Sequence, residues 1–215
     1  MNTYSIDKKR KALAIVCHPD DEVLWCGGYI LRHLEYEWKI IAVCCGNNSI
    51  RNEAFIRSCH ELGVNEYQHI NFNDKFVEND LENILKTINF NDFEIIITHD
   101  EIYGEYGKED HKMVGKVVNR LVKGKTARLM NFSYKNFQYP QEKIDKSDTT
   151  RIVSDSQEFP SVEGKEADVI LFLTHEELRK KLSILQNVYS GENENFKNLS
   201  WPCPNPEAFR NIDKK

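Results

Sequence analysis

The chain has 215 residues with 34 acidic side chains against 29 Lys and Arg, and its net charge of −5 argues against general binding to a nucleic-acid phosphate backbone. No apolar run approaches the length of a membrane span and Met1 to Arg10 lacks the apolar centre of a signal peptide, so a soluble, cytoplasmic protein is expected. The length suits one large domain, 1–215, whose core needs no disulfides, and six cysteines without a CxxC pair read as free, reduced, mainly buried thiols.

Ala12 to Cys17 is a nearly uncharged aliphatic run, as expected of a strand buried on both faces of a parallel sheet. It stops at His18-Pro19-Asp20-Asp21-Glu22, where proline ends the ladder and the carboxylates suit the positive end of a helix dipole. Glu22 is read as such a dipole partner. Capping needs one acidic residue and no histidine, so His18, Asp20 and Asp21 are read as functional. Val23, Leu24, Gly27, Ile30, Leu31 and Leu34 then recur at helical spacing, predicting a helix from about Asp21 to Glu35, with Gly27 and Gly28 packed closely on the sheet.

Lys39 to Cys45 predicts a second strand ending in the loop Gly46-Asn47-Asn48-Ser49, and a helix with Phe55, Ser58, Cys59 and Leu62 on one face follows, stopped at Gly63. Tyr67 to Phe72 is a third strand, and Val77, Leu81, Ile84, Leu85 and Ile88 mark a third helix. Phe93 to Thr98 is a fourth strand, followed by the polar stretch His99 to His111, a helix marked by Met113, Val114, Val117, Val118, Leu121 and Val122, and a fifth strand from Ala127 to Phe132. This alternation implies an α/β, three-layer fold with a mainly parallel sheet. Ser133 to Glu166 is polar, with only a strand-like run at Arg151 to Val153, and is expected to form an irregular lid or substrate-binding segment. Val169 to Leu173 reads as an edge strand, and Thr174 with Glu177 forms a capping box for a last helix with Leu178, Leu182, Leu185 and Tyr189 on its buried stripe.

Wound in the Rossmann-like order 3-2-1-4-5, such a sheet opens its crevice between the carboxyl ends of strands one and four. His18 and Asp21 then meet His111, and two imidazoles with one carboxylate and an open position are the ligand set of a catalytic zinc site, equally suited to Fe(II). Asp20 and Asp21 point different ways from the turn, one to bind metal and the other to serve as a base. A zinc site at Cys44 and Cys45 is the rival, with poor spacing. His33, His60, His69 and His175 read as surface or packing residues. His99 lines the crevice or orients a ligand, and Asp110 either hydrogen-bonds a metal-bound imidazole or caps a helix.

His18-Pro19-Asp20-Asp21-Glu22, Cys26-Gly27-Gly28 and Gly104-Glu105-Tyr106-Gly107 leading to Asp110-His111 resemble the PIG-L/LmbE-like deacetylase family, with matches at intervals from about Lys11 to Leu121, including Arg51 to Gly63. The resemblance implies a Rossmann-like fold and metal-dependent hydrolysis of an acetamide on a sugar, releasing acetate and a free amine. It makes His18, Asp21 and His111 the zinc ligands, Asp20 the general base, Tyr106 a partner of the developing oxyanion and Arg51 a substrate contact. The implied partner is a small N-acetylated sugar or glycoconjugate, and a homo-oligomer is compatible with it.

One position departs from the pattern. Where the family carries a transition-state-stabilising histidine three residues before the last ligand, followed by proline, this chain has Lys108 and Glu109. Lys108 either supplies a positive charge in the histidine's place or points to solvent. Two rivals to the enzyme are therefore a metal-retaining binding protein with little turnover and a Rossmann-like nucleotide binder that needs no metal.

Overall fold

Along β1 (Lys11–Val16), Ala12, Ala14 and Val16 face one core while Leu13 and Ile15, with Cys17 beyond them, face another, all fully buried. That two-residue alternation, apolar on both sides, is what a central parallel strand covered by helices on each face requires. The structure is a computed structural model that describes residues 10–64, 66–72, 76–134, 161–162, 165–191, 194–197 and 203–212; the side chains of residues 106, 107, 161, 162, 165, 166, 194 and 195 lie outside the description. After β1 come α1 (Asp21–Arg32), β2 (Glu37–Cys44), α2 (Ser49–Glu61), β3 (Glu66–Phe72), α3 (Glu78–Leu85), β4 (Ile95–Thr98), the short α4 (Gly104–Gly107), α5 (Glu109–Val122) and β5 (Arg128–Phe132). The chain continues through β6 (Ser161–Val162), β7 (Lys165–Glu166), β8 (Val169–Leu171), α6 (His175–Val188), α7 (Glu194–Lys197) and β9 (Glu207–Asn211).

Seven strands form one sheet in the order β3-β2-β1-β4-β5-β9-β8, and the expected order 3-2-1-4-5 is its parallel part. β9 runs antiparallel to β5 and β8 antiparallel to β9. One core cluster lies beneath α1, α2 and α6, the other beneath α3 and α5. β1 sits between β2 and β4 in register, Ile15 beside both Ile41 and Thr98, so the winding reverses there and the carboxyl ends of β1 and β4 open side by side.

The differences from expectation are local. The first helix stops at Arg32 rather than Glu35. Val77, assigned to a buried stripe, instead precedes α3 and is 60% exposed. Val169–Leu171 is the edge strand, but β9 was not foreseen. Its sequence Glu-Ala-Phe-Arg-Asn carries two charges, yet Glu207 is wholly buried, accepting the amides of Gly28 at 2.8 Å and Tyr29 at 2.7 Å and pairing with the equally buried Lys181 at 2.5 Å. A buried carboxylate is tolerated when it is paired and fully hydrogen-bonded, and neither condition is visible in a local pattern. Of the segment expected to act as a lid, 135–160 and 163–164 lie outside the described residues, including the strand-like run at 151–153.

Candidate metal centre and active site

The end of β1 is held from both sides. The Cys17 carbonyl accepts the amide of Cys44 at 2.7 Å, and the Cys17 amide donates to Nε2 of His99, at the end of β4, at 2.9 Å. The turn that follows is closed by the His18 amide donating to Oδ2 of Asp21 at 2.8 Å. Asp20 occupies this turn with φ 101°, a left-handed conformation costly for a non-glycine residue, and its carbonyl accepts the amides of Val23 and Leu24 to start α1. The strained residue and the helix start together separate the two adjacent aspartates.

Asp21 turns inward. Its Oδ1 accepts the indole N–H of the buried Trp25 at 2.8 Å, one helical turn on, and its Oδ2 faces three imidazoles. Nδ1 of His18 and Nε2 of His111 are 3.1 Å apart, and each lies 3.5 Å from Oδ2 of Asp21. Ligands about 2.1 Å from a tetrahedral metal are about 3.4 Å from one another, so this triangle has the dimensions of a metal's first three positions. Two imidazole nitrogens and one carboxylate oxygen fit zinc, and Fe(II) as well.

Carboxylates behind the imidazoles choose the ligating nitrogens. Oδ2 of Asp110 lies 3.0 Å from Nε2 of His18, and Oε2 of Glu105 lies 3.1 Å from Nδ1 of His111 and is hydrogen-bonded to Nδ1 of His99. Fixing one ring nitrogen in this way presents the other to a metal. Burial disfavours charge on His18, but Asp110 and Asp21 outweigh it and push its pKa up to about 10. Burial holds His111 below its ordinary value, in the neutral form that ligates. Glu105 and Asp110, although burial opposes ionisation, are each held down to about 2 by the histidines they face.

His99 is a different case. Against burial, Glu105 and Asp21 favour its charged form, toward a pKa of about 9, but the Cys17 amide aimed at Nε2 at 2.9 Å opposes this: it demands a lone pair there and leaves the ring proton on Nδ1 toward Glu105, the arrangement the backbone geometry imposes. With Nε2 already accepting, His99 packs 4.1 Å behind the His111 ring, rather than serving as a ligand, although its position with Asp21 and His111 has the spacing of one. Cys17 also neighbours His18, Asp110 and His111, but burial and the Cys44 thiol push its own thiol well above the ordinary range, and a neutral thiol is a poor ligand. Among the described residues no such group contains Cys44 or Cys45. The Cys45 sulfur instead accepts from Arg51 at 3.1 Å.

Asp20 has a separate partner. Its Oδ2 lies 3.4 Å from the Arg51 guanidinium, which also donates to the Pro19 carbonyl at 3.0 Å, so Arg51, expected at the substrate, grips the turn that carries Asp20. Burial and the charge of Asp21 raise the Asp20 pKa well above the usual range, with Arg51 partly offsetting them. Lys108 precedes α5 as its N-cap residue and is exposed, while its charge still opposes protonation of His18. Tyr106 lies in α4 by its backbone, and its side chain is outside the described residues. Asp110 sits within the first turn of α5, where its Oδ1 accepts the His111 amide at 2.9 Å while Oδ2 meets His18.

Three side chains were given no site role from sequence. Glu105 lies within the motif Gly104-Glu105-Tyr106-Gly107 but had no role there, and Trp25 read only as part of a helix. Glu22 lies in the first turn of α1 as a dipole partner would, but it does more: it is completely buried, its Oε1 accepts the hydroxyls of Ser58 and Tyr189, each at 2.5 Å, and its Oε2 accepts the Asp20 amide at 3.0 Å. Burial pushes its pKa up to about 7 against those hydrogen bonds.

Known proteins resemble this arrangement at two levels. An uncharacterized protein of Acanthamoeba polyphaga mimivirus is 27% identical over 139 residues, covering 54% of this chain and 57% of that protein, so the chain spans little more than half of this relative. Among solved structures, N,N'-diacetylchitobiose deacetylase from Pyrococcus horikoshii superposes with a TM-score of 0.56 at 15% identity, over 97% of this chain and 87% of that one. The 4-carboxy-2-hydroxymuconate hydratase of Pseudomonas putida superposes with a TM-score of 0.60 at 12% identity, over 96% and 97%. Identities this low establish a shared fold, and that fold carries both a deacetylase and a hydratase. Residues 13–122, just over half of the chain and spanning the site from His18 to His111, match the family described as GlcNAc-PI de-N-acetylase (PIG-L), and the chain belongs to that family.

Proposed function

We propose that this protein is a metal-dependent N-deacetylase acting on an N-acetylated sugar or sugar conjugate, with His18, Asp21 and His111 holding a zinc or Fe(II) ion. The observation that carries this reading is the 3.1–3.5 Å triangle of ligand atoms with a separate carboxylate, Asp20, on the adjoining residue. A bound ion there supplies Lewis acidity toward the acetamide carbonyl and lowers the pKa of water. Asp20 is then the base that takes a proton from the attacking water and later delivers it to the leaving nitrogen. Arg51 keeps the Asp20 turn in place, and Glu105 and Asp110 keep the two imidazoles in ligating orientation. Tyr106 is the hydrogen-bond donor to the developing oxyanion, with Lys108 adding positive charge at the crevice edge.

The test combines metal content with acetate release from a panel of N-acetyl sugars and their conjugates. About one equivalent of zinc, or of iron when prepared without air, and acetate release with at least one substrate are expected. His18→Ala and His111→Ala should each abolish metal retention, and full occupancy in either variant removes that residue from the site. The exposure of Lys108 favours one second reading, a metal-retaining binding protein with little turnover, which bound metal without acetate release across the panel would establish.

A further inference from the structure

Asp20 is one of two described non-glycine residues at positive φ, and its backbone amide does not bond to the main chain of the turn; it donates at 3.0 Å to Oε2 of Glu22. The other oxygen of that carboxylate is anchored from two distant elements, by Ser58 Oγ of α2 and by Tyr189 Oη just past the end of α6. The two hydroxyls are themselves 2.9 Å apart, and Glu22, Ser58 and Tyr189 are each completely buried. A left-handed aspartate persists only when its surroundings over-determine it. Here they do so from three helices, one of them outside the 13–122 match.

We propose that Glu22, clamped by Ser58 and Tyr189, is a positioning residue that holds Asp20 in its left-handed conformation and thereby aims the Asp20 carboxylate into the crevice. The inference rests on the reading of Asp20 as the base. Nothing in it requires Glu22 or Tyr189 to touch substrate or metal. α6 is the element that completes the device, since Tyr189 packs against Phe196 on one side and reaches Glu22 on the other. Without the clamp the Asp20 amide loses its acceptor, and the turn is free to relax into an ordinary conformation that swings the carboxylate away. Misplacement by about 1 Å can cost about 100-fold in rate without altering what is bound.

Three variants test this: Glu22→Ala removes the acceptor, Glu22→Gln keeps one oxygen for the Asp20 amide, and Tyr189→Phe removes one anchor while keeping the ring. Glu22→Ala should lower kcat about 100-fold and Tyr189→Phe about 10-fold, with KM and metal content unchanged, and Glu22→Gln should recover most of the Glu22→Ala loss. In an Asp20→Asn background neither Glu22→Ala nor Tyr189→Phe should lower kcat further, because a positioning residue has nothing left to position. Additive losses in that background, or unchanged kcat in both variants, overturn the proposal. A crystal structure of metal-loaded Glu22→Ala, or of Tyr189→Phe should the first variant fail to fold, supplies a readout independent of turnover. Asp20 leaving positive φ supports the clamp, and Asp20 retained there refutes it. If wild-type protein releases no acetate, the functional reading fails by itself, and this structural readout still decides the positioning.

Discussion

At the scale of single residues, the adjacent aspartates divide their surroundings sharply. Asp21 faces His18, His99 and His111, which hold its carboxyl well below the ordinary range against burial, whereas burial and the charge of Asp21 raise Asp20, with Arg51 only partly offsetting them. Asp21→Asn should therefore weaken metal binding, and Asp20→Asn should keep the metal and lower the rate constant about 10²- to 10⁴-fold, the usual contribution of a positioned base. Metal analysis with acetate-release kinetics checks both, and the opposite assignment of effects would reverse the two roles. For Lys108, an exposed residue acting only through its charge, Lys108→Ala should retain the metal and lose about 10-fold in rate, well short of removing a buried oxyanion donor. An unchanged rate would make it a solvated lysine with no part in the reaction.

At the scale of elements, the approach of α5 to the loop after β4 sets how the second half of the site is assembled. A Cβ on Gly115 would lie 2.4 Å from the His99 carbonyl oxygen, 2.9 Å from the Glu101 amide nitrogen and 3.0 Å from the Asp100 carbonyl carbon, all backbone atoms that cannot step aside singly. That contact lets His111, one turn earlier on α5, reach the end of β4. Gly115→Ala should destabilise the protein by about 1–3 kcal/mol, as overpacking does, and weaken metal retention by displacing His111. Gly27 in α1 is the control. Its Cβ would meet nothing nearer than 3.5 Å, so Gly27→Ala should be neutral or stabilising by up to about 1 kcal/mol through helix propensity. Urea unfolding of the two variants gives the comparison, and equal effects would refute the packing argument.

At the scale of the whole molecule, α6 is tied to α1 by Arg32, whose Nε donates to Glu177 at 2.8 Å and whose Nη2 donates to the Phe172 carbonyl at 2.8 Å. The Arg32 guanidinium holds the Glu177 pKa down from the usual 4.5 to about 2. A depressed folded-state pKa contributes stability that is present above the unfolded value and lost as pH falls toward the folded one. The stability difference between wild type and Glu177→Gln should thus be full above pH 4.5 and vanish near pH 2. Side-chain exposure of 31% at Arg32 and 16% at Glu177 lets solvent screen this pair, so the effect will be modest. Denaturant titrations of both proteins across that window measure it, and a constant difference would mean the ion pair contributes nothing.

What the sequence by itself determined is whatever depends on nearest-neighbour periodicity. The apolar runs of β1, β2 and β4 and the 3.6-residue stripes of the helices between them dictate helices on both faces of a parallel sheet, and that winding sends His18 and His111, 93 positions apart, to one crevice. His18 and Asp21 meet across a local turn, which is why their pairing was legible without coordinates. The tertiary structure alone decided what becomes of charges whose partners arrive from elsewhere. Glu22 reads locally only as a helix-dipole partner, and its burial beneath Ser58 and Tyr189, 36 and 167 positions along the chain, comes from the fold. β9 carries no strand pattern of its own, and its place in the sheet depends on Lys181 pairing with Glu207 in the interior. Apolar burial is written into a side chain's own chemistry, but burial of a carboxylate is decided by the donors that fold against it, and their convergence has no local sequence signature.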